Sequence, residues 1–433
     1  MFAALAAFAG LAGLWRAIPV HDTLRASKAI FKSAPAADAC SDAFRPGALP
    51  ARVEVDPFLQ AFATEIVRKH PTRLAAAFAM DLSTRAPLVA VFAENGNVRI
   101  DLSALAAPRY PMASLAKMTT AWAAMSEKGI TPSHVFHLRG QAHTLYKGQI
   151  DTTRGDTISL ARAFAYSANP IFGQIGVHYL GTTKYMSWLD TMGFNRPGGL
   201  GGGVPAGVAK LPKDTYNLAE LSSGFVRTTF VSPIHACMLA RRYAGGGELL
   251  PPRWSGAGDC PRPIVKPESQ QTKQMLSMMR LTADSGTARR AFEQVWDDDL
   301  REDFEFGGKT GSLDGDNPRG HYEWFAGFAR RKGRPDSGIA IAVLAVADGR
   351  QMLPGTWFAA QILGAWRRHF GQTRKPMLAE AVLPEGKTLF SDDDQEALAA
   401  RPTFRPPKIR KKKGKASKNV PARRASKKHR RHA

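Results

Sequence analysis

The run Ile339–Val346 is apolar at every position and is bounded by Gly338 and Asp348. It limits the fold more than any other segment of the chain. An element with one wet face shows polar residues at a period of 3.6 or 2, and this run shows neither. It is too short to cross a membrane and reads as a central β-strand covered on both faces. A chain with such a strand must supply a layer for each side of its sheet. One layer is close by: Thr356–Phe370 carries Phe358, Ile362, Trp366 and Phe370 on one helical face. Partner strands are predicted at Phe304–Gly308 and Glu323–Arg330. Toward the N-terminus, Phe78–Leu82 and Leu88–Ala93 flank the turn-like Ser83-Thr84-Arg85-Ala86-Pro87, as in a hairpin. From Ser114 to about Arg290 the pattern is mostly helical, with Leu115, Met118, Trp122 and Met125 at helical spacing and a Gly-rich loop over Gly198–Gly207. The expected fold is α+β: an antiparallel sheet assembled from N- and C-terminal segments, flanked by helices, with an inserted helical subdomain.

These elements define a domain over residues 76–372. Residues 21–75 read as a linker containing one helix, Pro57–Lys69. Before it, residues 1–20 hold an apolar stretch from Phe2 to Trp15. As a helix this stretch spans about 21 Å, short of the ~30 Å hydrocarbon core, which fits a signal segment or a short anchor. No Lys or Arg precedes it, whereas Arg16, Arg25, Lys28 and Lys32 follow, and a buried Ala-rich helix is the alternative. Residues 373–400 form a polar connector containing Ser391-Asp392-Asp393-Asp394. The formal charge is +23, yet residues 401–433 hold 15 Lys or Arg and no acidic residue, leaving +8 for residues 1–400. The basic character therefore belongs to a tail that buries too little apolar surface to offset its ordering entropy, and disorder is expected there. Cys40, Cys237 and Cys260 lack metal-ligand spacing, so neither a metal nor an organic cofactor is expected. Either Cys40 and Cys260 pair in an oxidising compartment or all three stay thiols.

Three short motifs carry the chemistry: Ser114-Leu115-Ala116-Lys117, Ser167-Ala168-Asn169 and Lys309-Thr310-Gly311-Ser312. Singly they are weak, since Ser-x-x-Lys and Ser-x-Asn each arise by chance about once in a chain of this size. Their setting adds weight. Ser114 follows Pro111 and opens a helical run, and Lys117 lies three residues on, on the same face. A serine hydroxyl needs a base to become a nucleophile. Lys117 serves only if desolvation or a nearby cation such as Lys309 lowers its pKa. The helix N-terminus favours charge developing at Ser114. Gly308 and Gly311 bare the edge of a strand on which an extended peptide can lie. Lys309 and Thr310 then meet a terminal carboxylate, and the backbone N–H groups of Ser114 and Ser312 form an oxyanion hole. Ser167 is placed to shuttle a proton between Lys117 and a leaving amine, and Asn169 to bond a substrate amide.

In order and together, these motifs resemble the penicillin-recognising serine enzymes. The long interval from Asn169 to Lys309 is more similar to the D,D-transpeptidase domain of penicillin-binding proteins than to β-lactamases. Ser285-Gly286-Thr287-Ala288-Arg289 resembles the Gly-Thr-Ala segment of those domains, Trp324-Phe325-Ala326-Gly327-Phe328 their following strand, and Ser232-Pro233 with His235–Gly247 their next helix. Where such domains have a Gly-Gln element, this chain has Ser223-Gly224-Phe225. The resemblance implies acylation of Ser114 by D-Ala-D-Ala peptidoglycan stem peptides and inhibition by β-lactams. It also implies a place in the cell envelope, at the periplasmic or extracytoplasmic face of the inner membrane. A D,D-carboxypeptidase, an endopeptidase, a β-lactamase and a non-catalytic β-lactam sensor or scaffold are the alternatives. The loop Leu313–Tyr322 carries Asp314, Asp316 and Arg319 beside the third motif. Outside the cytoplasm, the tail would meet anionic lipid or acidic envelope polymers rather than nucleic acid.

Overall fold

The computed structural model describes residues 48–245, 248–254, 268–296, 300–347 and 353–370. Six strands form its main sheet: β1 (Leu74–Asp81), β2 (Pro87–Glu94), β3 (Asn97–Arg99), β4 (Phe304–Asp316), β5 (Arg319–Arg331) and β6 (Gly338–Ala347). Their order is β3-β2-β1-β6-β5-β4, every pair antiparallel. The N-terminal hairpin thus meets the C-terminal strands through β1 and β6, with Phe78 opposite Ala342. On β6, Ala340, Ala342, Leu344 and Val346 enter one core, while Ile339, Ile341, Val343 and Ala345 enter the other. Two covered faces leave no position for a polar residue, which is why the run is unbroken. Full burial of each of its larger side chains contributes about 1.5–3 kcal/mol.

The outer face is covered by α1 (Pro57–Lys69) and by a C-terminal helix, Gly355–Phe370. Asp56 caps α1 by accepting from the Leu59 N–H at 2.8 Å, and Pro57 occupies its first turn, where no N–H is needed. Phe58, Leu59, Phe62, Ile66 and Val67 go into the core. The helix drawn within the linker is therefore packed onto the sheet. A second difference concerns Leu313–Tyr322. It is not a loop: β4 and β5 stay paired out to Asp316 and Arg319, and only Asn317 and Pro318 turn.

The inner face carries the helical subdomain, centred on α2 (Ala116–Lys128). Every residue of α2 from Ala116 to Met125 is buried. Its small residues let neighbours close in, and Thr120 Oγ1 donates to the Ser222 carbonyl at 2.6 Å, in the helix Thr215–Ser223. Gly129, in the left-handed region at φ 61°, ends α2. Two long-range bonds fix the segment before α2, one to the main sheet and one to the short strand Thr229–Val231. Trp324 Nε1 on β5 donates to the Pro111 carbonyl at 2.9 Å, and the Met112 N–H donates to the Thr229 carbonyl at 2.8 Å. The tight turn Ala113–Leu115 consequently sits at the open edge of β4. Among the described residues no helix is long and apolar enough to cross a membrane. Residues 1–47 and 371–433, with the N-terminal segment, Cys40, the connector and the tail, lie outside them, as does Cys260. Cys237 is a buried thiol whose Sγ donates to the Ala340 carbonyl.

Candidate active site

Ser114 lies in the turn that leads into α2, partly exposed, with Lys117 one turn further on and wholly buried. Lys117 Nζ stands 2.6 Å from Ser114 Oγ, 2.8 Å from Asn169 Oδ1 and 2.5 Å from the Ser223 carbonyl oxygen. Two of these partners are carbonyl oxygens, which only accept. A neutral amine has two N–H bonds for them and one lone pair left, directed at the Ser114 hydroxyl. The Asn169 orientation is fixed from its other end, where Nδ2 donates to the His143 carbonyl at 3.1 Å. A flipped amide would set carbonyl against carbonyl there. Burial first, and the Lys309 charge second, push the Lys117 ammonium well below the ordinary lysine range. Both causes that the sequence suggested act on it, desolvation being the larger and the Lys309 charge the smaller.

The third motif runs along β4, the edge strand of the sheet. Gly311 faces the Ala113–Leu115 turn closely: a Cβ there would lie 3.3 Å from Ala113 Cβ and 3.3 Å from Trp324 Cβ. Thr310 is partly exposed and Ser312 exposed, so both are open to a bound peptide. Lys309 is not. It is fully buried, donates to the Thr310 carbonyl at 3.0 Å and lies 5.7 Å from the Phe164 ring centroid. Desolvation brings its pKa down to about 7. The sequence reading set Lys309 and Thr310 together against a carboxylate. In the structure the buried Lys309 amine bonds to the Thr310 carbonyl, and its charge bears on Lys117. Thr310 Oγ1 is 2.5 Å from Thr287 Oγ1, which draws the Ser285–Arg289 segment into the site.

Ser167 is buried at φ 58°, and its hydroxyl bonds to none of the described residues. Asn169, read as a ligand for a substrate amide, also bonds within the protein, to Lys117 and to the His143 carbonyl. The side chain of Ser312 turns outward to His321 Nε2 at 2.8 Å and Glu323 Oε1 at 3.2 Å. His321 also meets Asp314 at 2.7 Å. Hydrogen bonding to Glu323 foremost, then to Asp314, raises the His321 pKa to about 9.

Sequence reasoning missed two contributors. The Ser223 carbonyl is the third partner of Lys117, and a backbone oxygen leaves no mark in a motif. Gly224, at φ 71°, closes the helix Thr215–Ser223. A Cβ on it would come within 1.9 Å of the Ala113 carbonyl oxygen and 3.1 Å of the Ser114 nitrogen. The signal for it was present in Ser223-Gly224-Phe225, where the glycine remains although the following Gln does not.

A serine hydroxyl hydrogen-bonded to a buried, deprotonatable lysine beside a glycine-lined strand edge is the equipment of a serine acyltransferase. The model of the penicillin-binding protein transpeptidase domain matches residues 75–352, and the chain belongs to that family. Solved structures agree on the fold. A D,D-transpeptidase domain of a peptidoglycan glycosyltransferase from Eggerthella lenta superposes with a TM-score of 0.53 at 17 % identity, covering 74 % of this chain and 83 % of that one. Penicillin-binding protein 3 from Mycobacterium tuberculosis, complexed with aztreonam, gives 0.54 at 18 % identity, with 74 % and 78 % covered. A peptidoglycan glycosyltransferase from Burkholderia ambifaria gives 0.56 at 17 %, with 75 % and 99 % covered. No curated protein matches the chain.

Proposed function

We propose that the protein is a D,D-transpeptidase that cuts the terminal D-Ala-D-Ala bond of peptidoglycan stem peptides through an acyl-Ser114 intermediate. One observation carries the reading: the buried Lys117 amine, 2.6 Å from Ser114 Oγ, with its other bonds committed to two carbonyl oxygens. In this reading the donor peptide lies along β4, its terminal carboxylate at Thr310. Lys117 takes the Ser114 proton as Oγ attacks the penultimate carbonyl carbon. The backbone N–H groups of Ser114 and Ser312 receive the developing oxyanion. The proton passes from Lys117 through Ser167 to the departing amine of D-Ala. An amine of a second stem then takes the acyl group; water in its place gives carboxypeptidase turnover. A β-lactam follows the same first step. Among the described residues Lys117 is the side chain bonded to the Ser114 hydroxyl, and its other hydrogen-bond partners are neutral oxygens. Among the described residues no carboxylate bonds to the Ser114 hydroxyl or to Lys117 to activate a deacylating water, which favours a long-lived penicilloyl enzyme over β-lactamase turnover.

Such a substrate lies outside the cytoplasm, and the same reading places the domain there, with the basic tail on anionic lipid or envelope polymers. The test of function is intact-mass spectrometry after incubation with a penicillin, beside Ser114→Ala. A stable adduct of one penicillin on the wild type alone supports the mechanism. Rapid drug loss without an adduct would make the protein a β-lactamase, and neither adduct nor drug loss would leave a scaffold.

A further inference from the structure

Ser312 serves acylation through its backbone N–H, and its side chain has a separate set of partners. Alternation along β4 turns Gly311, Leu313 and Gly315 to one face of the hairpin and Ser312 and Asp314 to the other. The first face is held by apolar packing, since Tyr322, opposite Leu313, is fully buried. The second face is held by polar side chains. Ser312 pairs across the hairpin with Glu323, and Asp314 with His321. His321 Nδ1 donates to Asp314 Oδ1 at 2.7 Å, and Nε2 lies 2.9 Å from Glu323 Oε1 and 2.8 Å from Ser312 Oγ. The Ser312 hydroxyl donates to the same Glu323 oxygen at 3.2 Å. A carboxylate only accepts, so with one at each ring nitrogen the imidazole holds both protons. The Ser312 oxygen therefore accepts from the ring while its own proton goes to Glu323, and an exposed hydroxyl is tied down in both directions.

The two strands of the hairpin differ in support. β5 is paired on both sides, with Glu323 opposite Ala345 and His321 opposite Ala347 on β6. β4 is paired on one side only, and its open edge is the one beside the Ser114 turn. An oxyanion donor on such an edge is a backbone N–H, with no rotamer of its own to aim it. Its position follows from where the strand is held, and the grip on the Ser312 hydroxyl comes from the strand with two neighbours.

Resting on the acyl-enzyme reading, we propose that His321 is a positioning residue that, with Asp314 and Glu323, grips the Ser312 hydroxyl and so holds the Ser312 N–H against the oxyanion formed when Ser114 attacks. In that step the Oγ–C bond forms, the Ser114 proton passes to Lys117, and the carbonyl π pair moves onto the oxygen, which accepts from the N–H groups of Ser114 and Ser312. The contribution of His321 grows with the charge on that oxygen. It is therefore expressed in the acylation rate and not in the affinity of the first complex.

The experiment resolves penicillin acylation of the full chain by stopped flow into the affinity of the first, non-covalent complex and the acylation rate constant. Beside it stands competitive inhibition by phenylboronic acid, which gains an Oγ–B bond to Ser114 and becomes a tetrahedral anion. For His321→Ala the acylation rate constant falls roughly tenfold, a part of the 10²–10³ that one oxyanion donor supplies. Affinity for phenylboronic acid falls by a similar factor, while affinity in the first penicillin complex changes less than about threefold. Ser312→Ala, which keeps the N–H and removes what is gripped, shows the same split, and the double variant is no worse than the poorer single one. His321→Gln, which keeps an N–H donor, recovers part of the loss; should His321→Ala not fold, the smaller fall in rate at unchanged first-complex affinity is read from His321→Gln. An unchanged acylation rate, or equal losses in rate and in first-complex affinity, would overturn the grip. A wild-type protein that penicillin does not acylate would instead sink the acyl-enzyme reading, so the two failures are distinct.

Discussion

Replacing Lys309 by Met tests whether this site is built at the expense of stability. The Lys309 ammonium is fully buried, and desolvation lowers its pKa from 10.5 to about 7. A depressed lysine pKa means the folded protein binds fewer protons than the unfolded chain between those two values. Stability therefore rises with pH across that window and is lost as pH falls toward 7. At pH 7 the cost is about 4 kcal/mol, and at about pH 9.5 it has shrunk to about 1 kcal/mol. Met keeps an unbranched apolar stem and removes the charge that lies 5.7 Å from the Phe164 ring centroid. It also removes the bond to the Thr310 carbonyl, worth about 1 kcal/mol. The Lys309→Met protein should thus be about 3 kcal/mol more stable at pH 7 in urea unfolding, with most of the gain gone by about pH 9.5. The same change relieves Lys117 of a neighbouring positive charge, so its pKa rises and the acid limb of penicillin acylation moves to higher pH. Wild type and variant with parallel stability–pH curves would refute the reasoning, because Lys309 would then be solvated and its charge harmless.

Asn169→Asp puts a carboxylate against the Lys117 amine. The ammonium is favoured, its pKa rises, and acylation at pH 7 falls by at least tenfold while the acid limb shifts upward; stopped-flow acylation across pH reads both effects. Gly224→Ala forces a Cβ to within 1.9 Å of the Ala113 carbonyl at a left-handed φ. It should destabilise by about 2 kcal/mol or more and abolish acylation, measured as thermal unfolding and mass-spectrometric adduct yield. Trp324→Phe removes the donor to the Pro111 carbonyl and leaves that carbonyl buried and unpaired. The expected loss is about 1–3 kcal/mol, with slowed acylation, and unchanged kinetics would show that the bond does not hold the nucleophile turn.

What the sequence disclosed was local or unavoidable. Ser114 and Lys117 share a face because a helix imposes that spacing, and β6 announced itself because both of its faces are buried. The errors came where neither condition holds. Asp314, Gly315, Asp316 and Gly320 belong to a hairpin that runs out beyond the core, so its residues have no apolar period to display, and the segment read as a loop. The helix Pro57–Lys69 was visible as a helix, but its contact with Gly355–Phe370 joins opposite ends of the domain, and nothing local signals it. The Ser223 carbonyol's counterpart in the motif is invisible for a different reason, since the backbone is the same at every residue.

The clearest structural mark of the site is independent of any motif. Among the described residues five non-glycine positions have positive φ, and two of them are Ala113, directly before the nucleophile, and Ser167, which opens the second motif. Gly224, also left-handed, presses on the Ala113 carbonyl from the other side. Two strained non-glycine conformations and one left-handed glycine therefore lie in the segments that carry Ser114 and the second motif, together with two buried lysines that each resist being charged. A fold selected for stability alone would relax such strain and replace such lysines. Their persistence together follows if the free energy they withhold from folding is used to set the Ser114 hydroxyl against an uncharged amine, the one arrangement in which a lysine can act as its base.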